Sequence, residues 1–183
     1  MMYEQFKTRA EGVGAEVYRF ITNNAALEFI IEFLQREGLA DTPQASALWA
    51  DCPFLSEIDR NAVQKVAGLK FEVTREAASN ARFGISQMEW ALADTGSLAQ
   101  NSTAIEQRLV SSLSTIHIAL VPTGGILPDM PSLLTRVNPK ESAYIAMITG
   151  ASRTADIERV LTIGVHGPER LVIVFVDELG GTN

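Results

Sequence analysis

The run Gly150-Ala151-Ser152-Arg153-Thr154-Ala155-Asp156-Ile157-Glu158 gathers several groups able to hold an anion. It joins an apolar segment, Tyr144 to Thr149, to a stretch with helical periodicity, Thr154 to Ile163. A strand–turn–helix junction offers unpaired backbone N–H groups and the positive end of the helix dipole. Ser152 and Thr154 add hydroxyl donors, and Arg153 adds a planar fork suited to a carboxylate or phosphate. In an open parallel sheet, ligands bind beyond the carboxyl ends of the strands, where this turn is expected to lie. A plainer reading is also open, with Thr154 as an N-cap, Asp156 as a first-turn charge and Arg153 as a surface side chain.

Two further constellations carry polar groups. Asp94-Thr95-Gly96-Ser97 reads as a turn between short strands, with Gly96 allowing a positive φ or a close backbone approach. Composition alone favours a hairpin turn, though Thr95 and Ser97 could direct hydroxyls into a pocket. Gly164-Val165-His166-Gly167-Pro168 holds a histidine in a loop-like context, a candidate acid/base or anion donor. That loop follows a helix and precedes a strand. A simple doubly wound layout therefore puts His166 at the amino ends of the strands, opposite Ser152. His117 alternates with Ile116 and Ile118 and reads as a core or helix-facing residue. Gly124-Gly125 lacks both the G-x-G-x-x-G and the G-K-[ST] patterns, which argues against nucleotide binding.

The elements that must position these groups follow from periodicity and breakers. Leu27, Ile30, Ile31 and Leu34 form the stripe of a helix capped at Asn23 or Asn24 and stopped at Gly38. Ala45 to Ala50 and Leu69 to Thr74 are expected as strands, and Asp59 to Val66 as a short helix. Thr115 to Val121 is a strand, Pro128 to Val137 a helix, Tyr144 to Thr149 a strand, and Arg170 to Val176 a nearly all-apolar last strand. This β-α-β-α-β order predicts an α/β protein with an open parallel, Rossmann-like sheet covered on both faces. One domain over residues 1–183 is expected, its motif-bearing core at about 83–176 and a helical layer at about 1–40.

Composition narrows the function classes. The 183 residues are 46% hydrophobic and 20% charged, as in a soluble globular domain. A net charge of −7 argues against a general nucleic-acid partner, while leaving room for a local anion site. The start of the sequence lacks an apolar h-region and no stretch reaches membrane-span length, so a cytoplasmic location without a membrane span is expected. One cysteine, Cys52, excludes an internal disulfide and a cysteine-ligated iron–sulfur cluster held by this chain alone. With two histidines only, a histidine-rich metal site is not expected, and no cofactor is expected on this chain.

Taken together, Gly84-Ile85-Ser86, Ala93-Asp94-Thr95-Gly96-Ser97, Gly150 to Glu158 and Gly164 to Pro168 resemble, in order and spacing, the signature of the LUD-domain family. Ala151 and Ser114 depart from the usual pattern, each standing where the family has a proline. The resemblance implies a fold similar to the sugar-phosphate isomerase and CoA-transferase superfamily. It also implies a non-redox role beside iron–sulfur partner subunits in oxidising L-lactate to pyruvate. On that view Gly150, Ser152, Arg153 and Thr154, with Thr95 and Gly96 nearby, hold a small anionic ligand. Asp156 and Glu158 orient them, and His166 is a further candidate. Two alternatives stay open. One is a stand-alone isomerase or acyl/CoA-transferase-like enzyme with Asp156 or Glu158 as base or nucleophile. The other is a structural interaction module. A homo-oligomer fits any of the three.

Overall fold

The computed structural model describes residues 1–138, 140, 142, 144–152 and 167–180. Helix α1 (Met2–Gly12) leads into β1 (Glu16–Phe20), α2 (Asn23–Arg36), β2 (Ala47–Trp49), α3 (Arg60–Gln64), β3 (Leu69–Lys70), α4 (Arg75–Asn80) and β4 (Phe83–Gln87). Then come β5 (Trp90–Leu92), β6 (Ser97–Asn101), α5 (Ile105–Leu113), β7 (Ile116–Pro122), β8 (Ile126–Leu127), α6 (Met130–Leu134), β9 (Ile145–Ile148) and β10 (Arg170–Val176). Single 3-10 turns lie at Pro53–Ser56 and Thr123–Gly125.

Six strands form one sheet in the order β1-β10-β7-β4-β2-β3, every pairing parallel. The molecule is thus an α/β protein with an open parallel sheet. Its central strand β10 is apolar on both faces because both are covered. Val172, Val174 and Val176 pack with Ile30, Phe33 and Leu34 of α2. Leu171, Ile173 and Phe175 pack with Phe6 and Ala10 of α1 and with Ala91 and Leu98 of a second sheet. Phe175 meets the rings of Tyr3 and Phe6 edge-on at 5.4 and 5.1 Å. Arg170 ties three elements together, its guanidinium lying 2.9 Å from both Glu16 and Glu37.

The second sheet, β8-β5-β6-β9, corrects one expectation. The Tyr144–Thr149 segment forms a strand, β9, but it pairs antiparallel with β6 rather than joining the parallel sheet. Strand propensity identifies an extended segment without choosing its partner; the Thr95 turn folds β6 back on β5, and β9 takes the other edge of β6. The first forty residues, expected as a helical layer, hold the helix expected there, α2, together with α1 and a strand between them, β1, which pairs with β10. The strand expected at Leu69 to Thr74 shrinks to Leu69–Lys70. The helix expected from Pro128 begins at Met130, because Asp129 caps it through the Ser132 N–H at 2.9 Å. Among the described residues no helix is long and apolar enough to cross a membrane.

Candidate functional site

Two concavities lie at opposite ends of the parallel strands. The first is lined by Gly150 and Ser152 of the groups expected from the sequence. Ser152 donates its backbone N–H to the Pro168 carbonyl at 2.8 Å, and Glu169 donates to Thr115 just before β7. These contacts put Gly150 and Ser152 at the amino ends of β7 and β10, not beyond their carboxyl ends. The expected placement assumed that β9 belonged to the parallel sheet. The same contacts remove the expected separation of the two motifs, since Gly167 lies against the Ser152 side chain.

The Thr95 turn converges on this region through α1. Gly96 has φ +70° and Gly150 has φ +67°. A side chain at Gly96 would strike the backbone of Ala10, and one at Gly150 would strike the carbonyl of Val13. Both turns therefore close on the carboxyl end of α1. The Ser97 and Thr149 hydroxyls join them at 2.7 Å. Thr95 itself is exposed. A groove of about 550 Å³ results, lined by Val13, Ser111, Ser112, Thr149, Gly150 and Ser152, among others. Arg153, Thr154, Asp156, Glu158 and His166 lie outside the described residues.

The second concavity, about 280 Å³, sits beyond the carboxyl ends of β2, β4, β7 and β10. Gln87, Glu89, Gln100, Asn101, Gln107 and Cys52 line it, with Pro53, Ala104, Pro122 and Gly180. Its amides are locked together. Gln100 Nε2 donates to the Gln87 carbonyl at 2.5 Å and to Gln107 Oε1 at 2.9 Å. Ser102 Oγ donates to Gln100 Oε1 at 2.7 Å, and Gln107 Nε2 to the Asp51 carbonyl at 2.6 Å. Gln87 Oε1 accepts the Phe54 N–H at 2.9 Å. Glu89 Oε2 accepts the Asn101 N–H at 2.9 Å. Burial pushes the Glu89 carboxyl up to about 7, against the opposing pull of that N–H.

The polar lining of this second site was not identified from the sequence. A signal existed at Glu89, a carboxylate between the buried Met88 and Trp90 in a short apolar run. Gln100 and Gln107 carried none, since their roles depend on β6 and α5 meeting in space. His117 is fully buried, as its alternation with isoleucines suggested. Its Nε2 lies 2.7 Å from Ser86 Oγ, and burial lowers its pKa to about 3, so the ring is neutral. The pair is sealed inside the sheet and reaches neither concavity. Among the described residues, no three His, Cys, Asp or Glu side chains gather as a metal site.

A parallel-sheet α/β chain with a second sheet built around the Thr95 turn is the class these features define. The sequence pattern of the LUD domain matches residues 3–176, and the chain belongs to that family. It is similar to the Lactate utilization protein C of Bacillus subtilis (strain 168), 36% identical over 115 residues, 60% of this chain and 48% of that protein. The protein of the same name from Anoxybacillus flavithermus is 33% identical over 104 residues, 56% of this chain and 47% of that one. The matched stretch spans about half the length of these relatives. In fold, the chain resembles a crystal structure of a DUF162-family protein from Deinococcus radiodurans. The TM-score is 0.63 at 15% identity, over 96% of each chain.

Proposed function

We propose that the chain is a non-redox component of a bacterial L-lactate-oxidising system, holding a small carboxylate or phosphate beside iron–sulfur partner subunits. The observation that carries this reading is the run of relatives named Lactate utilization protein C, 31–36% identical over about half of this chain or more. Chemistry supports the division of labour. Oxidising lactate to pyruvate removes two electrons and two protons, and a redox group must accept the electrons. A sequence with one cysteine and no dinucleotide fingerprint offers no evident acceptor of its own.

The groove at the amino ends is the proposed place for the anion. Hydroxyls of Ser111, Ser112 and Ser152 line it, and Arg153 and Thr154 follow Ser152 directly in the chain. Those two residues supply the charge and the hydroxyl that a carboxylate or phosphate needs. The stand-alone enzyme reading draws support from the opposite cleft, which Glu89 lines; Asp156 and Glu158 lie outside the described residues.

The experiment is reconstitution. The purified chain is assayed with L-lactate and an artificial electron acceptor, alone and then with the iron–sulfur partners. We expect no turnover from the chain alone and turnover by the partners only when the chain is added. Turnover by the chain alone, or partner turnover indifferent to it, would overturn the proposal.

A further inference from the structure

The cleft at the carboxyl ends of β4 and β7 is not needed for the lactate reading, and its chemistry differs from that of the anion groove. Among the described residues no Lys, Arg or His lines it, so its wall offers no cationic partner to a ligand that carries a full negative charge. Its walls are carboxamides already committed to one another and to the backbone, which fixes them in place. Among the described residues, two side chains of the lining keep hydrogen-bonding capacity unspent. Gln87 spends its Oε1 on Phe54, while its amide nitrogen makes no hydrogen bond among the described residues. Glu89 is anchored through one oxygen by Asn101. The volume, about 280 Å³, lies at the lower end of small-molecule sites and suits a compound of a few carbons.

We infer that this cleft is a second ligand site, in which Glu89 moves a proton on a small uncharged carbonyl compound oriented by the Gln87 amide. As the carboxylate, Glu89 takes a proton from the carbon next to the carbonyl. The C–H electron pair becomes the carbon–carbon π bond of an enolate, and the carbonyl π pair moves to oxygen, where the Gln87 N–H group donates. Return of a proton from Glu89 to the carbon restores the compound, so no oxidant or co-reactant is consumed.

The electrostatic surroundings suit a base that works near neutral pH. Burial holds the Glu89 carboxyl near 7, and matching a base to the working pH is what general-base catalysis needs. Among the described residues, the other titratable lining group is the Cys52 thiol, pushed up to about 11 by burial and therefore neutral. Charges on the surrounding elements are engaged elsewhere or exposed. Asp51 pairs with Arg60 at 3.2 Å, Asp177 with Arg19 at 2.8 Å, and Glu178 accepts the Asn23 N–H. On α5, Glu106 is exposed and Arg108 lies over the Tyr144 ring.

The test uses dihydroxyacetone, an uncharged carbonyl compound, in D₂O with the full chain, followed by proton NMR. Its carbon-bound protons are expected to exchange for deuterium faster with protein than without. The rate should rise with pH through a midpoint near 7, as the base form accumulates. Glu89→Gln should lower the protein-dependent rate by about 100-fold or more. A second reading needs no variant: the carbon-13 titration of the Glu89 carboxyl should shift its midpoint when dihydroxyacetone is added. Absence of protein-dependent exchange, exchange equal in a folded Glu89→Gln protein, or a Glu89 titration indifferent to dihydroxyacetone would overturn the inference.

Discussion

Burial favours the neutral form of both Glu89 and His117, with opposite consequences for stability. For Glu89 the folded-state pKa is raised, from 4.5 to about 7. Below about 4.5 the carboxyl is protonated whether the chain is folded or not, and it costs nothing. As pH rises from there towards 7 only the unfolded chain ionises, so stability falls, and above 7 the loss is complete. For His117 the folded pKa is depressed to about 3, so stability is lost as pH falls below 6.5, where the unfolded chain alone takes a proton. Glu89→Gln keeps an oxygen for the Asn101 N–H and removes the ionisation. It should therefore stabilise the fold more at pH 8 than at pH 5, by about 1–3 kcal/mol. Urea unfolding at the two pH values measures this, and an equal effect at both would show that Glu89 ionises normally. Sequence flagged His117 as buried because it alternates with isoleucines. Gln100 and Gln107 differ: each is a polar residue whose partners come from elements far apart in the chain, so no local pattern marks it.

At the scale of elements, the motifs at Thr95 and Gly150 act as seats for α1. The helix buries Phe6 and Ala10 against β10, while both turns close on its carboxyl end. Gly96→Ala would place a methyl group against the Ala10 backbone from a residue at φ +70°. We expect a loss of about 2–5 kcal/mol, the sum of a left-handed backbone penalty and overpacking, read as a lower midpoint in urea. A change within about 0.5 kcal/mol, the range of an ordinary surface substitution, would show that the turn does not clamp the helix. Glycine at positive φ was legible at Gly96 from the Asp-Thr-Gly-Ser turn pattern, but the helix it receives was not. The strand patterns fared likewise. Arg170–Val176 has the bounds expected of it, because the six-residue apolar run Leu171–Val176 has one sensible use. Tyr144 to Thr149 was legible as a strand and not as a member of the second sheet, since strand propensity is silent on pairing. That one pairing moved the Ser152 turn from the carboxyl ends of the parallel strands to their amino ends.

For the molecule as a whole, the parallel sheet puts the groove proposed for an anion at the amino ends of its strands and the cleft proposed for proton transfer at their carboxyl ends. Ser111, Ser112 and Ser152 are among the residues lining the first, and Gln87, Glu89, Gln100 and Gln107 are among those lining the second. The fold class was legible because strands and helices alternate through the second half and the last strand is apolar on both faces. The family motifs were legible as well, and the LUD domain pattern spans nearly the entire chain. The work of the protein rests on its relatives, of which it matches about half the length. Growth of the host organism tests the central claim most directly. With the coding sequence deleted, we expect loss of growth on L-lactate as sole carbon source, undiminished growth on pyruvate, and recovery when the wild-type chain is supplied. Unimpaired growth of the deletion strain on L-lactate would contradict a role in lactate utilization.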